Sequence, residues 1–161
     1  MPTKRIRLLL TLLAVVGAAS ALVACGGSAS AASSADVQFL SPQEFTVADY
    51  AGKPLVVNYF GSWCGPCNAE APDLSTFAKA QSGNAAFVGV AFGDEQSDVV
   101  DFMSKYGLTY PVVMDDNSVG AKAGVSGYPT TIFYNASGRE VDRIVGPASL
   151  DQLTTSYAKT Q

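Results

Sequence analysis

Two cysteines stand three residues apart where an apolar segment gives way to an amphipathic one. The run Trp63-Cys64-Gly65-Pro66-Cys67 follows the strand-like segment 54–60 and opens a helical pattern that extends to about Gln81. A strand that leads directly into a helix places Cys64 at the helix N-terminus, where unpaired backbone N–H groups and the helix dipole favour a thiolate. Cys67 lies one helical turn further on, close enough to form a disulfide with Cys64. The sequence therefore predicts a reactive dithiol on a strand-turn-helix unit.

Two other uses of Cys64 and Cys67 are open at this point. A structural disulfide that closes so short a loop constrains the unfolded chain by only about 2 kcal/mol, which is a weak reason to place it here. A zinc site needs two further sulfur or imidazole ligands, yet the chain has no His and only one other cysteine, Cys25. We therefore favour redox exchange and expect neither a metal nor another cofactor.

The N-terminus has the layout of an export signal. Lys4, Arg5 and Arg7 precede the almost wholly apolar segment 8–24. This segment ends Leu-Val-Ala-Cys-Gly, which resembles the lipobox of bacterial lipoproteins and makes Cys25 the expected lipidation site. The alternative is that 8–24 stays in place as a single membrane helix, since its length is near the lower limit for a span. Both interpretations place the rest of the chain outside the cytoplasm, anchored to the cell membrane.

We expect three parts in the chain: a signal peptide over 1–24, a flexible tether of small residues over 25–36, and one folded domain over 37–161. Removing 1–24 leaves seven basic and fourteen acidic residues, a formal charge of −7. An acidic domain is a poor nucleic-acid binder, so nucleic acid is not an expected partner. The absence of His also excludes Ser-His and Cys-His catalysis.

Hydrophobic patterns in the domain alternate between those of strands and those of helices. Strands are predicted at 37–40, 54–60, 86–92, 111–114, 130–134 and 141–145, and helices or helical turns at 41–44, 64–81, 96–106, 118–123 and from Ser149 onward. The last two strands bracket a turn-rich linker and form a predicted hairpin. This order predicts a central mixed sheet with helices on both faces.

The order of elements and the motifs resemble those of the thioredoxin fold. Besides 63–67, the run Gly-Tyr-Pro-Thr-Thr at 127–131 precedes the hairpin. The segments 52–60, Glu-Ala-Pro at 70–72 and the additional stretch 102–115 are similar to the extracytoplasmic, membrane-anchored TlpA/ResA type. The resemblance covers about residue 37 to the C-terminus. It implies an α/β thioredoxin fold, a central mixed β-sheet flanked by helices, with the N-terminal extension and inserted segment of that type.

The resemblance also implies roles for residues around the catalytic pair Cys64 and Cys67. Pro129 is implied to be a cis-proline that faces the dithiol, while the Tyr128 backbone pairs with an extended substrate chain. The substrate-facing surface is completed by Trp63, Gly65 and Pro66. The alternatives are that Pro129 is an ordinary turn residue and that Trp63 belongs to the core.

Glu70 is the third candidate catalytic residue. The resemblance implies a partly buried glutamate near the dithiol that relays a proton, whereas the alternative is a solvated acid on the helix surface. Cytoplasmic thioredoxins carry a buried Asp six positions before the first cysteine, where this chain has Asn58. Because Asn cannot take up a proton at neutral pH, a base for Cys67 would be Glu70, water or the partner thiol.

These features predict a thiol-disulfide oxidoreductase, slightly favoured as a reductase, with cytochrome c maturation as one candidate process. Its expected partners are thiols or disulfides of exported proteins and a membrane redox protein that resets the dithiol, and we expect a monomer. An oxidase that introduces disulfides is an open alternative, because the compartment is oxidising. A thiol peroxidase is a further alternative, although Gly61 stands where its Thr is expected, three residues before Cys64. A non-catalytic binding module is the last alternative, and it would not need both thiols.

Overall fold

The computed structural model describes residues 37–161; the predicted signal peptide, tether and lipidation site at Cys25 lie outside the described residues. In the described part, six strands are β1 (Phe39–Leu40), β2 (Leu55–Phe60), β3 (Ala86–Phe92), β4 (Val112–Asp115), β5 (Thr130–Tyr134) and β6 (Glu140–Val145). The α-helices are α1 (Gly65–Ala80), α2 (Gln96–Tyr106), α3 (Ser118–Lys122) and α4 (Leu150–Ala158), and two 3₁₀ turns span Pro42–Glu44 and Val47–Tyr50. None of the helices in 37–161 has the length and apolar character that crossing a membrane requires.

The strands form one mixed sheet in the order β1-β4-β3-β2-β5-β6. The first four strands in this order run parallel to one another, whereas β5 is antiparallel to β2 and β6 is antiparallel to β5. Strand β2 lies between β3 and β5 and is buried at every position, which explains its almost unbroken apolar sequence. The thioredoxin fold and the mixed sheet predicted from the sequence are confirmed.

The two faces of β2 contribute to two different hydrophobic clusters. Val56 and Phe60 point to the face covered by α1, α2 and α4, where Phe77, Phe133 and Leu153 complete a large core. The alternate residues Leu55, Val57 and Tyr59 belong to the opposite cluster, with α3 and the second 3₁₀ turn. Because side chains alternate along a strand, Asn58 faces the α1 side between two apolar neighbours. The core therefore holds one polar side chain of β2 directly against the active-site helix.

Element boundaries agree closely with the predicted ones, and the differences have local causes. Helix α2 and strands β3 and β5 have the predicted bounds. Strand β2 begins after Pro54, which has no N–H to donate but accepts a hydrogen bond from Ala86 N. Helix α1 begins at Gly65, because Cys64 has extended backbone angles and serves as its N-cap. Gly107, in the left-handed region at φ 63°, ends α2.

Candidate active site

The two cysteines lie where β2 passes into α1. The sulfurs of Cys64 and Cys67 form a disulfide, and both residues are buried. Cys64 is the N-cap of α1, and its Sγ accepts a hydrogen bond from the Cys67 backbone N–H at 3.3 Å. In the reduced protein the same N–H and the positive end of the helix dipole favour a Cys64 thiolate. The predicted strand-turn-helix geometry of the dithiol is confirmed.

The chain segment before β5 lies beside this dithiol. The Tyr128–Pro129 peptide bond is cis, as the resemblance implied. Thr130, the next residue, is paired with Tyr59 near the end of β2, and this pairing brings the segment towards the active-site loop. The rings of Tyr128 and Trp63 are in edge contact, with centroids 6.2 Å apart. Tyr128 and Pro129 therefore lie next to the residues that carry the dithiol.

Exposed Trp63, with half-buried Phe92 and Tyr128, forms the exposed aromatic surface beside Cys64. Its side chain is 59% exposed, so the alternative that places it in the core is wrong. The indole N–H donates to the Phe92 carbonyl at 3.0 Å, and Phe92 stacks on Tyr128 with centroids 5.4 Å apart. A Cβ atom at Gly61 would lie 2.6 Å from the indole, so glycine is needed there for the ring to lie across the loop. Sequence reasoning did not single out this requirement.

Gly65 and Pro66 are exposed at the start of α1. A Cβ at Gly65 would meet nothing within 4 Å, so the fold itself does not require glycine at this position. Pro66 stands in the first helical turn, where the missing N–H has no intrahelical partner to lose. Together with Trp63 they leave the surface around Cys64 open to an approaching chain.

Glu70 is buried on the inner face of α1, so the alternative of a solvated surface acid is wrong. Glu70 is only 4% exposed. One carboxylate oxygen accepts from Asn58 Nδ2 at 2.8 Å, and the other accepts from the Ala148 backbone N–H at 2.8 Å. Asn58 Nδ2 also donates to Thr131 Oγ1 at 3.0 Å. The amide at the position of the thioredoxin Asp thus serves as a donor that holds Glu70.

Burial dominates the electrostatics of this carboxylate. Desolvation raises the pKa of Glu70, although the hydrogen bonds from Ala148 and Asn58 act in the opposite direction. The Tyr110 hydroxyl is also buried, and within residues 37–161 it has no hydrogen-bond partner. Burial first, and the nearby charge of Glu70 second, raise the pKa of Tyr110. A titratable carboxylate therefore lies in the core one helical turn beyond Cys67.

The loop before Cys64 is held by side chains that sequence reasoning missed. Asp94 accepts from the Ser62 backbone N–H at 3.0 Å and from the Ser62 hydroxyl. Asn68 donates to two carbonyls of the loop, and Tyr106 donates to Asn68. One signal was available for Asp94: it follows β3, and the carboxyl ends of the parallel strands β2 and β3 meet at the same edge of the sheet.

The arrangement suits two-electron exchange with another molecule. A disulfide at a helix N-terminus can pass between oxidised and reduced forms without rearranging the fold. The exposed aromatic surface offers a contact area beside Cys64, and the buried carboxylate offers a group that can exchange a proton. These parts come from separate elements, namely the β2–α1 junction, the end of β3 and the start of β5.

Comparison with known proteins agrees with a site for thiol-disulfide exchange. The profile of the family described as Redoxin matches residues 28–160. The chain is 34% identical over 102 residues to the thiol-disulfide oxidoreductase ResA of Bacillus subtilis, a match that covers 62% of this chain and 57% of that protein. It is 35% identical over 122 residues to the soluble secreted antigen MPT53 of Mycobacterium tuberculosis, covering 74% of this chain and 70% of that protein.

Among solved structures, the chain is similar to MTB dsbF in its mixed oxidised and reduced forms. The TM-score is 0.65 at 32% sequence identity, and the match covers 70% of this chain and 84% of that chain.

Proposed function

The chain belongs to the Redoxin family as a thioredoxin-fold thiol-disulfide oxidoreductase, and we propose that it reduces disulfides of exported proteins from a membrane anchor. The observation that carries this proposal is the Cys64–Cys67 pair at the N-terminus of α1, beside an exposed aromatic surface. A buried structural disulfide would need no such open surface. A non-catalytic binding module would not need both thiols, and a thiol peroxidase is disfavoured because Gly61 stands where its Thr is expected.

The reducing reaction proceeds through a mixed disulfide. The Cys64 thiolate attacks one sulfur of the substrate disulfide, a Cys64–substrate bond forms, and the other substrate sulfur leaves as a thiolate. Cys67 then loses its proton and attacks the Cys64 sulfur, so the intramolecular disulfide forms and the second substrate thiolate leaves. Two electrons pass from the dithiol to the substrate, whose two thiolates take up protons from Cys67 and the solvent. A membrane redox partner returns two electrons to restore the dithiol.

Substrate placement follows from the surface around Cys64. An extended substrate chain lies along the segment 128–129, where the Tyr128 backbone supplies hydrogen bonds and Pro129 presents no N–H. The exposed ring of Trp63, which is in edge contact with Tyr128, offers an apolar surface to the same chain. Gly65 and Pro66 leave room for the substrate cysteine to reach Cys64. These contacts depend on backbone and apolar surface, so they suit exported proteins of varied sequence.

Because the dithiol is proposed to reduce its substrates, the Cys64–Cys67 disulfide should have a low reduction potential, close to the value of about −270 mV of thioredoxin. The Gly65-Pro66 dipeptide and the similarity to ResA support this direction. Trp63 is the sole tryptophan and lies beside the disulfide, so its fluorescence in dithiothreitol or glutathione buffers reports the oxidised fraction. The Cys64→Ser variant is the control, because it lacks the attacking sulfur and its fluorescence should not respond to the buffer potential. A value near about −120 mV would instead assign the chain to oxidases that introduce disulfides.

The membrane anchor is proposed to be a lipid on Cys25. The layout of residues 1–24 supports it, whereas the name of MPT53 describes that relative as soluble and secreted. In cells that express the full chain, we expect the protein in the membrane fraction and the Cys25→Ser variant outside it. The Cys67→Ser variant should partition like the unchanged protein. Membrane association that persists in Cys25→Ser would support a retained helix over 8–24, and a soluble unchanged protein would contradict any anchor.

A further inference from the structure

Asn68 connects the active-site helix to the loop that carries Cys64. It follows Cys67 in α1, and its side-chain Nδ2 donates to the Ser62 carbonyl at 2.7 Å and to the Cys64 carbonyl at 2.9 Å. These two carbonyls lie on either side of Trp63. The same Cys64 carbonyl accepts the Asn68 backbone N–H at 3.1 Å. One residue therefore supplies three hydrogen bonds to the backbone around the nucleophilic cysteine.

The orientation of this amide is determined by its partners. Carbonyl oxygens can only accept, so the nitrogen of the Asn68 amide must face Ser62 and Cys64. The amide oxygen then faces Tyr106, whose hydroxyl donates to it at 2.8 Å. Tyr106 is the last residue of α2. These hydrogen bonds thus link the end of α2, through Asn68, to the backbone on both sides of Trp63.

Other contacts tie the same loop to the end of β3. Asp94 accepts from Ser62 N at 3.0 Å, and the Trp63 indole donates to the Phe92 carbonyl at 3.0 Å. These contacts to the end of β3 do not involve the Ser62 and Cys64 carbonyls, which the Asn68 side-chain amide holds. If the amide is lost, the Ser62 carbonyl loses this donor and the Cys64 carbonyl keeps only the Asn68 backbone N–H, so the backbone around Trp63 and Cys64 is held less tightly while the β3 side stays attached.

We propose that Asn68 is a positioning residue for Cys64, and that its amide holds the Cys64 sulfur on the N-terminal N–H groups of α1. The Cys64 sulfur receives the Cys67 N–H at 3.3 Å only while Cys64 keeps its N-cap backbone angles. The amide hydrogens also offset the negative ends of two carbonyl dipoles on the residues around the thiolate. Both effects stabilise the thiolate. The proposal rests on thiol-disulfide exchange through Cys64, as proposed above, but not on its direction.

The test measures the pKa of Cys64 in the reduced protein from the pH dependence of its alkylation by iodoacetamide. We expect Asn68→Ala to raise this pKa by about half a unit or more, which lowers the thiolate fraction about threefold below the pKa. Tyr106→Phe removes the donor that orients the amide, so it should raise the pKa in the same direction by less. The double variant should match Asn68→Ala, because Tyr106 acts through the Asn68 amide.

Asn84→Ala is the matched control, since it removes an exposed Asn far along the chain from the dithiol and should leave the Cys64 pKa unchanged. An unchanged pKa in folded Asn68→Ala would overturn the proposal, as would additive shifts in the double variant. If Asn68→Ala does not fold, Tyr106→Phe decides alone, and an unchanged pKa in that variant overturns the proposal. Alkylation needs no partner protein, so this result is independent of the reduction potential that tests the proposed function.

Discussion

Replacing Cys64 by Ser is expected to lower the rate of disulfide exchange by about three orders of magnitude or more, because the attacking thiolate is removed. Replacing Cys67 by Ser should leave the first step intact and stop the second. The Cys64–substrate disulfide then has no resolving thiol and accumulates. Cys67 is 1% exposed and next to Cys64, so no outside thiol replaces it efficiently. The two variants are therefore expected to fail in different ways.

Both outcomes are measurable with the full chain in its own compartment. Reduction of a model protein disulfide gives the exchange rate, and non-reducing electrophoresis followed by mass spectrometry identifies the substrates trapped by Cys67→Ser. In the assay with the model protein disulfide, Cys25→Ser is the matched control, since it makes the same chemical change outside the described domain and should leave the exchange rate unchanged. Full biological function in Cys64→Ser would contradict catalysis and favour a binding module. Hydrogen peroxide consumption without a disulfide substrate would favour a peroxidase.

Much of the fold could be predicted because its signals are local. The apolar run of β3 and the stripe of α2 specify their elements without help from the rest of the chain, and their bounds are as predicted. Turn chemistry is equally local, as at Gly107, which ends α2 at φ 63°. The strand order was less accessible, because β4 pairs with both β1 and β3 through contacts between distant segments.

The candidate site likewise combines residues with a local sequence signal and residues whose roles depend on distant contacts. Cys64 and Cys67 are apparent from their spacing, because the chemistry needs only one helical turn. The burial of Glu70 depends on Ala148, which is 78 positions away, and on Asn58 in another strand. Asn68 was missed because an Asn on a helix is normally a surface residue, and only its distances to two carbonyls distinguish it. Roles that arise from tertiary contacts therefore required the structure.

The second large effect is expected from Glu70→Gln, which should slow the resolution of the mixed disulfide by about tenfold or more. Cys67 must lose its proton in a buried place, where forming a thiolate is costly. Glu70 lies one turn beyond Cys67 on the same buried face, and burial raises its pKa. Gln keeps the shape of the side chain but accepts no proton. Stopped-flow measurement of the second step between pH 5 and 8 should show a rise that follows loss of the Glu70 proton. Glu70→Gln should lack this component and keep only the rise that comes from ionisation of Cys67 itself.

The same substitution has a thermodynamic consequence whose sign follows from the raised pKa. The folded protein holds the Glu70 proton more tightly than the unfolded chain, in which the pKa is near its ordinary value of 4.5. The stability gained from this proton is fully present below that value and is lost as the pH rises through the pKa of the folded state. Gln does not titrate, so Glu70→Gln should become more stable relative to the unchanged protein between pH 4 and pH 7. Urea unfolding at the two pH values measures the change.

Glu44→Gln is the control with the opposite expected sign. Hydrogen bonds from the Ser41 backbone N–H first, and from its side chain second, lower the pKa of Glu44 below 4.5. The stability that this exposed carboxylate contributes is present above that value and is lost as the pH falls, so Glu44→Gln should become less stable relative to the unchanged protein towards pH 7. If both variants changed in the same direction, burial would not control Glu70, and its assignment as the base for Cys67 would lose its support. Opposite signs together with slowed resolution would separate a proton-transfer role from a structural one, because a structural defect alone would not remove the component of the second step that follows deprotonation of Glu70.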